Sequence, residues 1–311
     1  MRVGVTGGSG FIGSHVVDAL LEAGHQVRVL DLRPPHRPEA GFRRVDVLDA
    51  EGLADAAVGL DALFHLAAVA DVNDVDRDPA RAVAVNVLGT ANALVACLRA
   101  EVGRFFLAST VWVYSSLPEE VEAPVDEDAP LAVAADRHVY TTTKLAAEML
   151  CHDFQRRHGL PCTILRYGIP YGPRMRPSLV IPTFVRRALR GEPLLVAGDG
   201  SQSRRFLYVG DLARAHTLAL SPQAAGRTYN LDGDEEVSIL RLAETVLRLT
   251  GSSSPIQFVP ARGGDYRGVA VSNERARREL GWQPQVPFEE GMARTVDWLV
   301  QQEGLAATRQ P

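Results

Sequence analysis

Short apolar runs alternate with longer amphipathic stretches over the first half of the chain. We predict strands at runs of five or six mostly apolar residues, and helices where apolar residues recur every three or four positions. The predicted strands are Arg2–Thr6, Gln26–Asp31, Ala62–Leu66, Arg104–Ala108 and Cys162–Arg166. The predicted helices include Phe11–Ala23, Pro79–Ala100 and Val139–His158. This alternation predicts an α/β fold, a doubly wound parallel sheet with helices on both faces.

The pattern changes after about residue 167, where prolines and glycines become frequent and apolar runs become shorter. Two further amphipathic stretches follow, and we predict helices at Ile239–Thr250 and Phe288–Val300. We therefore predict two domains. Residues 1–166 form the first, and residues 203–232 return to it. Residues 167–202 and 233–311 form a smaller C-terminal α/β domain that binds the substrate.

Composition narrows the possible classes of function. The chain of 311 residues has a formal net charge of −5, and nucleic-acid binding needs a basic face, so we expect no nucleic-acid partner. The three cysteines lack metal-ligand spacing, and we interpret them as reduced thiols and expect no metal. We see no secretory signal and no apolar run long enough to cross a bilayer, and we therefore expect a cytoplasmic protein with no membrane partner.

A glycine-rich turn, Thr6-Gly7-Gly8-Ser9-Gly10-Phe11-Ile12-Gly13, lies between the first predicted strand and the first predicted helix. Positions 8, 10 and 13 match G-x-G-x-x-G, and positions 7, 10 and 13 match the variant G-x-x-G-x-x-G. Glycine permits a tight turn and lets backbone N–H groups approach a pyrophosphate at the helix N-terminus. A purely structural turn is the alternative. The position of the motif favours a dinucleotide site on a Rossmann-type sheet.

Two acidic positions follow the next strands. Asp31 ends the second strand, where a carboxylate can accept hydrogen bonds from both ribose hydroxyls of NAD and repel the 2′-phosphate of NADP. An exposed aspartate without a ligand is the alternative, and the nearby Arg33 would favour NADP; we predict NAD. Asp46 and Val47 follow a short third strand and are predicted to line the adenine site, although a solvated loop aspartate explains Asp46 nearly as well.

A tyrosine and a lysine lie one helical turn apart in the run Tyr140-Thr-Thr-Thr-Lys144. Tyrosine has a pKa of roughly 10, and a neighbouring ammonium lowers the pKa of such a group by ~1–3 units. This spacing also occurs by chance on exposed helices. After a dinucleotide motif, and after Ser109-Thr110 at the end of the fifth strand, it predicts a catalytic base, with Thr110 relaying the substrate proton.

These motifs, together with several others, resemble the extended short-chain dehydrogenase/reductase family in its nucleotide-sugar epimerase/dehydratase branch. The resemblance covers nearly the whole chain. The other runs that carry it are Phe64-His65-Leu66-Ala67-Ala68, Asn86-Val87-Leu88-Gly89-Thr90, Leu165-Arg166-Tyr167, residues 198–204, Phe206-Leu207-Tyr208-Val209 and Glu279-Leu280-Gly281-Trp282-Gln283-Pro284.

The resemblance implies NAD as the cofactor, a UDP-sugar as the substrate, and a homodimer that pairs through helices 79–100 and 139–158. The implied catalytic residues are Tyr140, Lys144 and Thr110. The implied cofactor-binding residues are Gly7, Gly10, Phe11, Ile12, Gly13, Asp31, Asp46, Val47, Leu66, Ala67, Ala68, Asn86, Tyr140, Lys144 and Tyr167. The implied substrate-binding residues are Thr110, Gly168, Arg176, Val180, Pro182, Val196, Arg204, Arg262 and Asp265. Of these, the resemblance assigns Arg204 and Arg262 to the diphosphate.

The residues after Thr110 separate the reactions of this branch. In the dehydratases that the chain resembles, an Asp-Glu pair follows the Ser/Thr, and in the decarboxylases a Glu precedes the Val-Tyr. This chain has Val111 and Trp112 there, which cannot transfer protons. The resemblance then implies a 4-epimerase, which needs only reversible oxidation at one carbon.

Two positions bear on the substrate. The run Arg166-Tyr167-Gly168-Ile169-Pro170 departs from the family's usual Arg-Tyr-Phe-Asn, so the amide that would touch the diphosphate is absent at Gly168. The run Gly172-Pro173-Arg174-Met175-Arg176-Pro177 resembles a loop of glucuronate 4-epimerases, and Arg176 would face a C6 carboxylate. A solvated arginine or a diphosphate contact explains it equally well. The hypothesis is a UDP-glucuronic acid 4-epimerase. The alternatives are a UDP-glucose 4-epimerase, a keto-reductase and a non-catalytic NAD-binding partner protein.

Overall fold

The computed structural model describes residues 1–115, 117, 123–131, 138–260 and 269–303. The strands are β1 (Arg2–Thr6), β2 (Gln26–Asp31), β3 (Gly41–Arg44), β4 (Ala62–His65), β5 (Arg104–Thr110), β6 (Cys162–Tyr167), β7 (Ile169–Tyr171), β8 (Leu194–Ala197), β9 (Ser203–Tyr208), β10 (Thr228–Leu231), β11 (Glu236–Ser238) and β12 (Ile256–Val259). The helices are α1 (Phe11–Glu22), α2 (Ala50–Ala57), α3 (Val72–Arg77), α4 (Pro79–Val83), α5 (Gly89–Arg99), α6 (Val139–His158), α7 (Val180–Leu189), α8 (Val209–Ala219), α9 (Ile239–Thr250), α10 (Glu274–Leu280) and α11 (Phe288–Glu303). A π-helical turn at Ala84–Leu88 joins α4 to α5, and 3₁₀ turns lie at Val111–Tyr114 and Pro222–Ala224.

Seven parallel strands form the large sheet, in the order β10-β6-β5-β4-β1-β2-β3. The chain moves outward from β1 through β2 to β3, then crosses to β4 and continues in the opposite direction. Strand order therefore reverses between β1 and β4. Ligands of such sheets bind at the carboxyl ends of the strands beside this point. The arrangement confirms the predicted doubly wound α/β fold.

The central strands of this sheet form where the sequence is apolar on both faces, whereas β3 at the edge is mostly exposed. All four residues of β4 are buried, as are four of the five in β1. Parallel strands covered by helices on both sides bury continuous apolar runs in this way. β5 continues to Thr110, two residues beyond the predicted end, because Ser109 and Thr110 pair with Arg166 and Tyr167 of β6.

The chain divides into two compact units. The first contains Met1–Tyr167, Leu212–Leu231 and Val269–Gln283; the described part of the second contains Gly168–Asp211, 232–260 and 284–303. The predicted return of residues 203–232 is therefore wrong for residues 203–211. Those residues stay in the second unit, because β9 pairs there with β7 and β11. The predicted assignment of residues 269–283 to the second domain is also wrong, because Val269–Gln283 belong to the first unit.

The second unit contains a three-stranded sheet, β11-β9-β7, and a two-stranded sheet, β12-β8. Helix α9 has the predicted bounds. It begins after Ser238, whose hydroxyl accepts a hydrogen bond from the Arg241 N–H, and it ends at Gly251 with a φ of 67°. A serine N-cap and a left-handed C-terminal glycine are the usual local signals of helix ends.

Helices α4 and α5 form one continuous helical stretch, Pro79–Arg99, because the π-helical turn joins them without a break. Among the described residues this stretch has the length and the mean hydropathy, 1.5, of a membrane span, and 44% of it is buried. The prediction that no apolar run reaches this length is therefore wrong. Its buried residues Ala93, Leu94 and Cys97 pack in one core cluster with residues of α2, β5 and α6, as a core helix does. Val83, Leu88 and, on α6, Met149 are exposed on the helices where we predict dimer contacts; the dimer stays a prediction.

Candidate active site

The glycine turn after β1 has no room for side chains at two of its positions. Gly7 has a φ of 69°, and a Cβ on it would lie 2.7 Å from the Ala67 backbone nitrogen. A Cβ on Gly13 would collide with the Gly7 carbonyl oxygen. The Gly7 N–H donates to the Leu30 carbonyl over 3.1 Å, which ties the turn to the end of β2. Both glycines are required for this close approach of α1 to the sheet.

Helix α1 begins at Phe11, directly after this turn. Gly10 is its N-cap and supplies no side-chain acceptor, while the Gly10 N–H donates to the Gly7 carbonyl. The N–H groups of Phe11, Ile12 and Gly13 are therefore the first-turn donors, which have no acceptor within the helix. A pyrophosphate needs backbone donors of this kind, so the turn fits a dinucleotide.

The carboxylate of Asp31 is oriented by two backbone donors. The Ser9 N–H and the Arg33 N–H donate to its two oxygens over 3.1 and 3.0 Å. A carboxylate has about four acceptor positions, so Asp31 retains capacity for ribose hydroxyls. Asp46 is half-buried and accepts from the Leu48 N–H, and Val47 is buried beside Gly89.

The segment after β4 is held by Asn86. The amide of Asn86 donates to the Val69 carbonyl over 2.9 Å and to the Thr143 hydroxyl over 3.0 Å, and it accepts from the Val69 N–H over 2.8 Å. Both amide donors are therefore bonded within the protein. These bonds fix the segment that contains Leu66, Ala67 and Ala68 against α6, and the predicted cofactor contact of Asn86 stays a prediction.

Lys144 lies inside the first unit. Its Nζ donates to the Ala108 carbonyl over 2.8 Å and lies 5.9 Å from the centre of the Tyr140 ring. Only 6% of the residue is exposed. Burial lowers the pKa of Lys144 from 10.5 to about 8, and the charge of Glu148 opposes this shift. The ammonium group thus stays close to the tyrosine ring and is protonated at neutral pH.

Thr110 ends β5 and begins the turn Val111–Tyr114. Its hydroxyl accepts from the Trp112 N–H over 3.2 Å. The indole of Trp112 packs edge-on against the Tyr140 ring, with the ring centres 6.1 Å apart. The structure therefore brings Thr110, Tyr140 and Lys144 together at the carboxyl edge of the sheet, as predicted, and adds Trp112 to them.

A second tyrosine, Tyr167, pairs with Thr110 across β5 and β6. His216 Nδ1 lies 2.8 Å from the Leu212 carbonyl, which can only accept, so Nδ1 carries the proton and Nε2 accepts from the Tyr167 hydroxyl over 2.6 Å. Burial raises the pKa of Tyr167 well above its ordinary value and lowers the pKa of His216 to about 4. The Tyr167 hydroxyl is therefore bonded within the protein, and the predicted cofactor contact of Tyr167 stays a prediction.

Gly168 and Asp232 fit together in the second unit. The space that a Cβ on Gly168 would need is filled by a carboxylate oxygen of Asp232. Burial raises the pKa of Asp232 to about 7, against the opposing effect of the Gly233 N–H. A side chain at position 168 therefore has no room beside Asp232. Counted from Arg166, the asparagine of Arg-Tyr-Phe-Asn falls on Ile169, so its predicted place at Gly168 is wrong by one residue.

The other predicted substrate residues of the second unit differ in exposure. Val196 and Pro182 are buried, and their predicted role in substrate binding stays a prediction. Val180 is 37% exposed at the start of α7. Arg176 is half-buried in the loop before α7, and Arg204 donates to the carbonyl of its neighbour Ser203. Arg262 and Asp265 lie outside the described residues.

Two features of this site were missed in the sequence. Lys144 is the single lysine of the chain, since the other 32 of its 33 basic residues are arginines. Glu148, one helical turn after Lys144, forms a buried ion pair with Arg166. The scarcity of lysine in the sequence was a visible signal for the importance of Lys144. The Glu148–Arg166 ion pair could not be seen there, because it depends on a contact between α6 and β6. Within the described ranges, no group of three or more His, Cys, Asp or Glu residues is arranged to hold a metal ion.

Comparisons with known proteins agree with this geometry. A sequence model of the NAD dependent epimerase/dehydratase family matches residues 3–232. The chain is 35% identical to a dTDP-glucose 4,6-dehydratase of Streptomyces niveus, over 96% of this chain and 92% of that one. It is similar to the UDP-glucose 4-epimerase of Thermotoga maritima, solved with UDP-glucose, at 32% identity and a TM-score of 0.88, over 97% and 100% of the two chains. It is also similar to the UDP-glucuronic acid 4-epimerase of Bacillus cereus, solved with UDP-glucuronic acid and NAD, at 29% identity and a TM-score of 0.86, again over 97% and 100%.

Proposed function

Because the chain belongs to the NAD-dependent epimerase/dehydratase family, and is therefore an NAD-dependent enzyme that modifies nucleotide sugars, we propose that it is a UDP-sugar 4-epimerase. It inverts C4 through a transient 4-keto-sugar, and its substrate is UDP-glucuronic acid. The observation that carries this proposal is the pair Val111 and Trp112, directly after Thr110.

Eliminating water from a sugar needs one group that removes a proton from carbon and another that protonates the departing hydroxyl. Valine and tryptophan can do neither. The indole of Trp112 lies against the Tyr140 ring, so that position presents apolar atoms to the catalytic tyrosine, and Val111 is buried. Oxidation and reduction at one carbon remain, because they need only one base.

Tyr140 is the base in this proposal. Thr110 holds the 4-hydroxyl and relays its proton to Tyr140, and the Lys144 ammonium stabilises the resulting phenolate. Tyr167 cannot replace Tyr140, because its hydroxyl donates to His216 and its pKa is raised by burial. The glycine turn and Asp31 would hold NAD, which would supply reversible hydride chemistry at C4 and would be regenerated in each turnover.

Arg176 supports a uronate as the substrate. A carboxylate that leaves water needs a charged partner, and a guanidinium forms two parallel hydrogen bonds with it. Arg176 is half-buried and follows Arg174, whose φ of 65° is uncommon for a residue other than glycine. The unusual backbone conformation at Arg174 restricts the loop, and it therefore limits the directions in which the Arg174 and Arg176 side chains can point.

The direct test is to incubate the purified protein separately with UDP-glucuronic acid, UDP-glucose and dTDP-glucose, and to identify the products by NMR. We expect UDP-galacturonic acid from the first, and slower C4 inversion of UDP-glucose. A 4-keto-6-deoxy product or release of carbon dioxide would contradict the epimerase. Inversion of UDP-glucose alone would support the neutral-hexose alternative, net reduction the keto-reductase, and absence of turnover a non-catalytic partner protein.

A further inference from the structure

A buried ion pair lies behind the catalytic residues of the first unit. Arg166 donates from Nη2 to Glu148 Oε2 over 2.7 Å and from Nε to Oε1 over 3.0 Å. The two side chains are 4% and 3% exposed. A buried pair of this kind is weak evidence for stability, since replacing it by apolar residues is often neutral or stabilising. Its position in the site therefore needs another explanation.

The Glu148 carboxylate connects the elements that contain the catalytic residues. It lies on α6, four residues after Lys144 and therefore on the same face of the helix. Its Oε1 also accepts from the Ser109 hydroxyl over 2.5 Å. Lys144 binds the Ala108 carbonyl, so two adjacent residues of β5 are held by two residues one turn apart on α6. Thr110 follows directly.

The Arg166 guanidinium extends this connection to the turn after β5. Its Nη1 donates to the Tyr114 hydroxyl over 2.5 Å, and Tyr114 donates to Asn230 Oδ1 over 3.0 Å. Tyr114 ends the turn that contains Val111 and Trp112. The Glu148–Arg166 ion pair is thus bonded to Ser109, which precedes Thr110, and to Tyr114, which follows it.

We propose that Glu148 is a positioning residue for the catalytic pair: Arg166 and Ser109 fix its carboxylate one helical turn beyond Lys144, where its negative charge stabilises the ammonium form of that lysine. The proposal rests on the catalytic roles given above to Lys144 and Thr110. It explains why a costly buried carboxylate lies beside a lysine that must stay charged without contact with water.

Few other side chains near Lys144 carry a charge that could stabilise its ammonium form. The titratable and charged side chains on the elements around it are Tyr140, Glu148 and Cys151 on α6, His65 on β4, Tyr114 after β5, Arg166 and Tyr167 on β6, and Cys97 on α5. Burial, aided by the charge of Lys144, lowers the pKa of His65 to about 3. The pKa values of the two cysteines, Tyr114 and Tyr167 are raised. In this set, Glu148 and Arg166 form the ion pair, and Glu148 is the carboxylate whose charge acts on Lys144.

The single lysine makes a direct test possible. Protein labelled with ¹³C in lysine, with NAD bound, gives one side-chain signal, and its shift against pH measures the pKa of Lys144 without any substrate. Glu148→Gln should lower that pKa by about one unit or more, because an opposite charge is lost. The alkaline limb of kcat should move to lower pH by the same amount. Asp153→Asn, an exposed carboxylate on the same helix, is the matched control and should change neither.

Two further variants keep the proposal testable if Glu148→Gln does not fold. Glu148→Leu/Arg166→Met removes both ions together, so no buried charge is left unpaired, and it should still lower the pKa of Lys144. Ser109→Ala leaves the ion pair intact and should lower kcat by about tenfold with little change in KM, because it loosens the geometry at Thr110. An unchanged pKa of Lys144 in folded Glu148 variants, or an unchanged kcat in Ser109→Ala, would overturn the proposal. If the wild type inverts no sugar, the proposed epimerase function is wrong. The NMR titration of Lys144 still decides whether Glu148 positions and charges that lysine.

Discussion

The catalytic end of the first unit and the substrate loop of the second unit are built differently. In the first, the polar atoms of Asn86, Lys144 and Tyr167 are buried and bonded to named partners. In the second, Arg176 is only half-buried, and Arg204 binds the carbonyl of its own neighbour. The fold therefore holds the polar atoms around the catalytic residues, while in the proposed function the second unit supplies the arginine side chains that recognise the substrate. Changes in the first unit should alter turnover of every sugar; changes in the second should alter which sugar is turned over.

The largest effect expected from this contrast is that of Tyr140→Phe. The variant removes only the ionisable hydroxyl and keeps the ring that packs against Trp112. Loss of a general base typically costs ~10²–10⁴-fold in rate. We therefore expect kcat to fall by that factor on every nucleotide sugar, with NAD affinity and thermal stability retained. Turnover within a factor of three of wild type would remove Tyr140 from the role of base.

Arg176→Ala should have an intermediate effect, limited to one class of sugar. Loss of a hydrogen bond to a charged group costs about 1.5–3 kcal/mol, and each 1.36 kcal/mol corresponds to a factor of ten in rate. We expect kcat/KM on UDP-glucuronic acid to fall by about one to two orders of magnitude, and kcat/KM on UDP-glucose to change far less. Arg190→Ala, at an exposed arginine after α7, is the control. Equal losses on both sugars would assign Arg176 to the shared diphosphate.

The smallest effect should come from Asp31→Ala, which concerns only cofactor choice. The variant removes acceptors for the ribose hydroxyls and the repulsion of a 2′-phosphate. We expect the NADP dissociation constant divided by the NAD dissociation constant to fall by about tenfold. This factor corresponds to the free energy of one hydrogen bond. Calorimetry with both cofactors measures this, with Asp55→Ala on the exposed side of α2 as the control. If the ratio stays the same, Asp31 does not contact the ribose.

Patterns that are local in the chain were readable from the sequence. The Gly7–Gly13 turn, Asp31 at the end of a strand and the four-residue spacing of Tyr140 and Lys144 each depend on neighbours along the chain. The fold class follows from the same kind of pattern, and the bounds of β1, β2, α6 and α9 were predicted as the structure has them.

Contacts between distant residues were not readable in this way. Tyr167 and His216 are 49 residues apart, Glu148 and Arg166 are 18 apart, and each pair meets through packing of different elements. The register of β5 and β6 decides which residue faces Thr110. Sequence reasoning therefore proposed the catalytic and cofactor-binding residues, but it did not predict the side chains that hold them, such as His216 beside Tyr167 and Arg166 beside Glu148.

The fit of Asp232 against Gly168 restricts the order in which this protein can evolve. A side chain at position 168 collides with the Asp232 carboxylate as long as that residue is present. Replacement of Asp232 by a smaller residue frees this space, and a larger residue at position 168 can follow. In the reverse order, the buried Asp232 carboxylate must first turn out of the space that the new side chain needs. A lineage that acquires this aspartate is therefore committed to glycine beside it, and the two positions should change together among its descendants.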